Sequence, residues 1–500
     1  MKKILLLLVA IVATFCFISC KQDVEMYTVT FDANGADYGT VPAAIQVQKG
    51  SSFTVPSQGS LLKKDCVFAK WNTKPDGSGS SYYQEKSLSV YSDIVLYAIW
   101  RDDLLEFTYL SDSDSYSVTD ISESIPFLIV PSEYKGKPVT SIGESAFEYC
   151  RGLKEITVPS SVTSIGDRAF YYCSGLTNVT ISEGVASIGD WSFGYCSSLT
   201  RITIPSSVTS IGSSAFYGCS SLTGVTIPSS VTSIGRSAFS GCRGLTSTTI
   251  PNSVESIGDF AFFGCRGLTS VTIPESVTSI GENAFSYCSN LESLEVAIEN
   301  IKYYSEQNCL IERDGKKLVF GCKNSVIPED ITLIRAYAFE GCSGLTNITI
   351  PESVEGIGGY AFEGCSGLTD ITIPKGVKII GSYAFRGCSG LTNITISKGV
   401  KRIGQYAFSG CSELTSVAIP EGVTSIEDGV FNGCSSLTGI TIPESVTSIT
   451  KEVFKDCRGL IDINYSGSIS QWNSIKKGYS WNWSTGEYTI HCTDGDIAKN

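Results

Sequence analysis

Thirteen cysteines fall on one register of 23 residues, at 150, 173, 196, 219, 242, 265 and 288, then at 342, 365, 388, 411, 434 and 457. Thiols at fixed spacing suggest a metal or redox array. The spacing contains no CxxC pair, which argues against structural zinc. The count is odd, so pairwise disulfides cannot use every one. A phenylalanine stands three residues before each: Phe147, Phe170, Phe193, Phe216, Phe239, Phe262 and Phe285, then Phe339, Phe362, Phe385, Phe408, Phe431 and Phe454. A leucine stands three residues after each, from Leu153 to Leu460. A cysteine tied to an apolar aromatic in every repeat reads as core, because its side chain is a small hydrophobe with a weak S–H donor. Buried free thiols are expected, with the thirteen phenylalanines beside them as structural core.

Other chemistry is thin. His491 is the single histidine, and no nucleophile motif accompanies it. No Gly-x-Ser-x-Gly elbow, phosphate loop or dinucleotide loop occurs. Acidic residues such as Glu275, Glu352, Glu421 and Glu444 are spread over loops and read as a solvated surface. The chain of 500 residues carries a formal net charge of −13. That balance disfavours a nucleic-acid footprint and docking on an anionic bilayer. No catalytic residue, metal or cofactor is expected.

The elements that position these residues follow from the repeat. Residues 268–290 read Leu-x-x-Val-x-Ile-Pro-x-x-Val-x-x-Ile-Gly-x-x-Ala-Phe-x-x-Cys-x-x. Val271 and Ile273 alternate with Thr272, as in a short strand with one buried face. Proline ends that strand, having no N–H to offer. Phe285 and Cys288, at i and i+3, suit one helical or 3₁₀ turn. Each unit has one apolar stripe and buries it only against its neighbours, so the fold class is a curved, mainly β solenoid. At about 4.8 Å per strand, thirteen units give a body about 60 Å long. In the first unit Ile142, Ala146, Phe147, Cys150, Leu153, Ile156 and Val158 should point inward. The glycine of the motif is replaced by Thr450 in the last unit, which argues for tight packing there and not for a required positive φ.

The outward threonines form the candidate binding face. Thr157, Thr180, Thr203, Thr226, Thr249 and Thr272 should stack on the concave sheet, and Thr349, Thr372, Thr395 and Thr441 continue the row. Asn178, Arg201, Asn347, Asp370 and Asn393 neighbour them. Such hydroxyls suit a glycan or an extended protein segment; β-propensity alone also favours threonine on an exposed strand. The near-identical units suit avidity or length better than one unique site.

These units resemble the leucine-rich repeats of the BspA-like family, also called the Treponema pallidum type. The resemblance implies a bacterial surface or secreted protein, some of whose members adhere to host matrix or to other bacteria. It covers about residues 120–495. An amino-terminal hairpin and cap is expected over 101–138, the solenoid over 139–460, and a cap over 461–500. Trp472, Trp481 and Trp483 belong to that last cap, where they cover the solenoid end or line a sugar site. An insertion near 295–328 contains Asp314-Gly315 between alternating apolar residues, a hairpin signal. Cys309 and Cys322 flank it, and a disulfide between them stays open. Residues 27–100 resemble the Listeria–Bacteroides repeat, a small β-grasp-like module, with Trp71 and Trp100 in its core.

The chain opens Met1-Lys2-Lys3, followed by an apolar run from Ile4 to Ile18, the pattern of a signal peptide. Phe17-Ile18-Ser19-Cys20 resembles a bacterial lipobox. That resemblance implies loss of residues 1–19, lipidation of Cys20 and a short tether over 20–26. The resulting expectation is an exported, lipid-anchored, non-enzymatic protein at the bacterial outer membrane or cell surface. Its partners would be protein or glycan ligands on host or bacterial surfaces, with no nucleic acid and no membrane contact beyond the lipid. A ligand-free spacer and a carbohydrate-binding surface protein are the alternatives.

Overall fold

The computed structural model describes residues 24–499. The signal peptide and the Cys20 lipidation site lie outside the described residues. The chain divides into a small unit ending at Arg101, from which residues 64–67 are excluded, and a long unit over the remainder.

The small unit is a five-stranded sheet in which Met26–Asp32 runs parallel to Ile94–Arg101 and antiparallel to Ile45–Gln48. Trp71 is fully buried, with Phe31 at 5.0 Å and Phe68 at 5.3 Å, ring centroid to centroid. Its indole N–H donates to the Pro56 carbonyl at 3.0 Å, which satisfies the one polar group of a buried Trp. Trp100 is only half-buried and packs at the margin of this core. The central parallel pair fits a β-grasp-like module, but no helix occurs among the described residues of this unit. The stretch 55–66, with Pro56, Ser57, Gly59 and Ser60, favours turns over a helix.

The long unit is a solenoid whose repeats feed short strands into two sheets. In one repeat, Glu155–Val158 pairs in parallel with Asn178–Ile181 in a first sheet. Ser164–Ile165 pairs in parallel with Ser187–Ile188 in a second. Only the first strand is visible as alternation, because a two-residue strand is too short to show a period. Between the sheets, Pro159 accepts a bond from Val162 N–H at 3.1 Å, which closes a tight turn.

The segment around each phenylalanine is a chain of turns, and this corrects the expected single helical or 3₁₀ turn. Locally, Tyr171 N–H donates to Arg168 at 2.9 Å and Cys173 N–H to Phe170 at 3.1 Å. The intervening N–H groups point along the solenoid: Arg168 donates to Asp190 at 2.8 Å, Phe170 to Ser192 at 2.7 Å and Tyr172 to Gly194 at 2.8 Å. Arg168 and Tyr172 take positive φ of 54° and 57°, which turns those peptides toward the next repeat. Left-handed φ is costly for such side chains. The inter-repeat bonds it permits satisfy backbone groups that would otherwise be buried and unpaired.

The phenylalanines form one stacked column on each side of the insertion. Phe147 and Phe170 lie 5.1 Å apart at 2°, and Phe362 and Phe385 lie 5.0 Å apart at 3°. Ring separations of 5.4 Å at Phe262–Phe285 and 5.9 Å at Phe431–Phe454 exceed the strand spacing of about 4.8 Å. That difference gives the solenoid its gentle curvature.

Each register cysteine beyond the first of its block donates its S–H to the carbonyl of the preceding repeat's phenylalanine. Cys173 reaches Phe147 at 3.0 Å and Cys265 reaches Phe239 at 3.2 Å. The thiol therefore fills space and joins repeats, as the core reading expects. The inward set named for the first unit is buried throughout. The motif glycine is a contact: a Cβ on Gly281 would stand 2.3 Å from the Asp259 nitrogen.

The insertion is a three-stranded antiparallel meander of Tyr303–Glu306, Cys309–Glu312 and Lys317–Gly321. Gly315 holds φ 73° at the Asp-Gly turn. The last strand joins the second sheet against Leu333–Ile334, and Phe320 packs at 5.7 Å from Phe285. Gly321 lies against the Phe339 ring, where a Cβ would come within 2.1 Å. The meander thus carries the core across the gap. Cys309 and Cys322 are buried and unbonded to each other. Their sulfurs face different carbonyls, Val326 at 3.4 Å and Asn308 at 3.9 Å.

The ends are closed. The antiparallel hairpin Leu105–Leu110 with Ser115–Ile121 pairs through its second strand with Lys137–Ile142. At the other end the short helix Ile469–Ser474 buries Trp472 and starts with a capping box at Ser468. Trp481 stands 6.0 Å from Phe454, while Trp483 is exposed and carries Lys455 at 5.3 Å over its ring.

Candidate recognition surface

The outward face of the first sheet carries two threonine columns that do different things. Thr200, Thr223 and Thr246 donate their hydroxyls to the carbonyl of the equivalent residue one repeat earlier, at 3.2–3.3 Å. These hydroxyls strengthen the ladder. The candidate row, three residues further on, is different. Thr180, Thr203, Thr226 and Thr249 are exposed, and their hydroxyls have no hydrogen-bond partner among the described residues. The neighbouring outward column runs Arg201, Gly224, Ser247 in register. A Cβ on Gly224 would meet nothing within 4 Å, so the floor is open there. The two columns line a shallow groove of about 620 Å³.

The row is not continuous. Thr157 pairs with Thr180, and Thr203 with Thr226 and then Thr249, within one six-stranded sheet. That sheet ends at Ser247–Thr249, where Thr248 replaces the usual Val or Ile and leaves its hydroxyl buried without a partner. Thr272 sits on a separate two-stranded piece opposite Glu295. Thr349 lies outside any strand, because the insertion breaks the first sheet before it. Thr372 pairs with Thr395, and Ala418 separates them from Thr441. Near Thr372 the neighbouring column is acidic: Asn393 donates to Asp370 at 2.9 Å. A second groove of about 510 Å³ lies there, walled by Glu329 and Glu352.

The turn face carries a regularity that the sequence reading passed over. Tyr337, Tyr360, Tyr383 and Tyr406 repeat every 23 residues and stack at 4.7–5.3 Å. Each takes positive φ, and the guanidinium of Arg386 lies 5.6 Å over the Tyr383 ring. Beside them Glu340 is almost fully buried, and burial pushes its carboxyl up to about 7. One oxygen each of Glu340 and Glu363 is buried without a hydrogen bond.

His491 bridges two carboxylates, with Nε2 3.0 Å from Asp462 and Nδ1 2.9 Å from Asp496. Both bonds raise its pKa above the ordinary imidazole value. The group sits at the exposed end of the first sheet, where it ties Thr489–Cys492 to its neighbours. Among the described residues no group of three or more His, Cys, Asp or Glu could hold a metal ion.

The BspA-type leucine-rich repeat model matches residues 132–246, 209–313, 318–394 and 355–476. The chain belongs to the BspA-type leucine-rich repeat family. The Listeria–Bacteroides repeat model matches residues 27–99 of this BspA-type chain. A leucine-rich cell surface protein from Faecalibacterium prausnitzii A2-165 is 35% identical, with a TM-score of 0.62. Its similarity covers 75% of this chain and 97% of that one. A leucine-rich repeat protein from Bacteroides ovatus is 28% identical over 78% of this chain and 98% of its own, with a TM-score of 0.49. A curated protein of Evansella cellulosilytica, described as a putative Gly-rich membrane protein, is 31% identical over 93 residues. That match spans 18% of this chain and 11% of the Evansella protein.

Proposed function

We propose that this BspA-type chain is a non-enzymatic cell-surface recognition protein that adheres to host, matrix or bacterial surface ligands through its solenoid. The observation that carries this reading is the run Thr180–Thr249, where unpartnered hydroxyls, Arg201 and an open glycine floor lie side by side. Its many shallow hydrogen-bonding groups suit an extended ligand held by avidity. The similarity to a Faecalibacterium cell surface protein supports display outside the cell. Cys20 would carry the lipid anchor at the outer membrane or cell surface, and residues 21–26 the tether.

A panel of matrix proteins and glycans tests this, probed with the folded chain lacking its first 20 residues. Saturable binding is expected, and T203K/T226K should remove most of it while leaving the melting transition in place. A folded chain that binds no member of either panel overturns the reading and leaves an envelope spacer. Weak binding confined to neutral glycans points to the carbohydrate-binding alternative.

A further inference from the structure

The chain carries a net charge of −13, yet two adjacent repeats gather five cations on one face. Lys375 and Lys398 occupy equivalent loop positions, one repeat apart. Lys378 and Lys401 stand just before the second-sheet strands Ile379–Ile380 and Arg402–Ile403. Arg402 lies in register beside Ile379, and Lys401 N–H donates to the Lys378 carbonyl at 2.9 Å. All five side chains are exposed, and none is ion-paired among the described residues. The ammonium groups of Lys378 and Lys401 meet only backbone carbonyls, of Lys375 at 3.3 Å and Glu421 at 3.5 Å. The patch is bounded: Glu352 and Glu355 hold the equivalent positions one repeat earlier, and Glu421 holds that of Lys398 one repeat later.

Clustered like charges are held here by the repeat, against their own repulsion and without compensating partners. Neighbouring repeats set the columns about 5 Å apart, and the turn closed by Val377 N–H on the Pro374 carbonyl at 3.2 Å brings the two lysines of a repeat close together. We propose that this face binds a linear sulfated polysaccharide. Its strong-acid groups recur along a narrow chain, which matches a patch only two repeats wide. An anionic bilayer would also face the flanking carboxylates and the net negative charge. An acidic peptide has no strand edge to join, because Ile379–Ile380 is already paired on both sides. A single-stranded nucleic acid would find no aromatic platform, since Tyr383 and Tyr406 stack on the turn face instead. The site is separate from the threonine row and does not depend on that row binding anything.

Heparin oligosaccharides titrated into the folded chain test the proposal. Saturable binding is expected, with a slope of log affinity against log salt of about −3.5 for a flexible polyanion on five cations. K378E/K401E should weaken it at least about tenfold, because the ligand then meets repulsion at the centre of the patch. K375Q/K398Q, which only removes charge from loops, should weaken it severalfold. K74E, in the small unit, should leave it unchanged. Absence of saturable binding at low salt overturns the proposal, as does full binding by both patch variants with unchanged melting. Equal affinity for desulfated heparin, poly-glutamate, single-stranded DNA or anionic vesicles also overturns it.

Discussion

Replacing Phe262 with Ala is expected to destabilise the solenoid by about 3–5 kcal/mol, the usual cost of emptying a buried aromatic site. The ring is fully buried and lies 5.4 Å from both Phe239 and Phe285 in the stack. The backbone on either side is pinned. Phe262 N–H donates to Ala284 at 2.8 Å, and its carbonyl accepts Cys265 N–H and the Cys288 thiol, both at 3.2 Å. The walls therefore cannot collapse into the space. Stability in a solenoid is a sum of repeats and their interfaces, so the loss should be local. Amide exchange should speed up between about Phe239 and Phe285 and stay slow around Phe431. A loss below about 1 kcal/mol, or a uniform change along the chain, would show that the stack does not carry the core.

The second large effect is a gain, and it depends on pH. Glu340 is almost fully buried near Glu363 and Ser286, and its backbone carbonyl accepts the Tyr287 N–H at 3.0 Å. Arg386 is the nearby cation, and it pairs with Glu363 at 3.4 Å. Burial raises the Glu340 carboxyl from an ordinary 4.5 to about 7, and Glu363 is raised by the same cause. The folded state then binds more protons than the unfolded state between those values, so stability falls as pH rises through that window. A shift of this size corresponds to about 3 kcal/mol lost by pH 8. Glu340→Gln keeps the shape without the charge. At pH 8 it should stabilise the carboxyl-terminal repeats by about 2 kcal/mol, and at pH 5 by less than about 0.5 kcal/mol. Urea unfolding of both chains at the two pH values measures this. A parent stability that does not change across that range would contradict the assignment.

Much of this fold was legible in the sequence because the repeat forces each position to meet its own copy. Phe and Cys at fixed offsets had to share one environment, and Phe147 through Phe454 do. The second strand was not legible: Ser164–Ile165 has only two residues, too few to show a period. The left-handed residues of the turn ladder were hidden as well, since Arg168, Trp191, Ser214 and Tyr337 share no chemistry. Their conformation is imposed by bonds to the next repeat. The Asp314-Gly315 turn was announced by residue type. The Gln307-Asn308 turn, with φ of 49° and 61°, was not. For the candidate site, sequence placed the threonines outward but could not see two breaks. One falls after Ser247–Thr249 and the other at the meander. The division between hydroxyls tied to the ladder and hydroxyls left open depends on which carbonyl each can reach, which spacing alone does not encode.

The central claim is that the cysteine array is a packing ladder and not a chemical one. Burial holds these thiols protonated, with Cys219, Cys288 and Cys388 pushed up to about 12 and the less covered Cys150 to about 11. Thiolate is the reactive form, so they should be inert. The deciding measurement is alkylation with iodoacetamide at pH 8, read site by site by mass spectrometry, on the chain lacking its first 20 residues. In the native state label should enter only at Cys66 and Cys492, the two half-buried cysteines. After unfolding in denaturant without reductant, all seventeen cysteines described in the structure should react. Rapid native labelling across the register, or register cysteines that stay blocked until reduced or stripped of metal, would contradict the account.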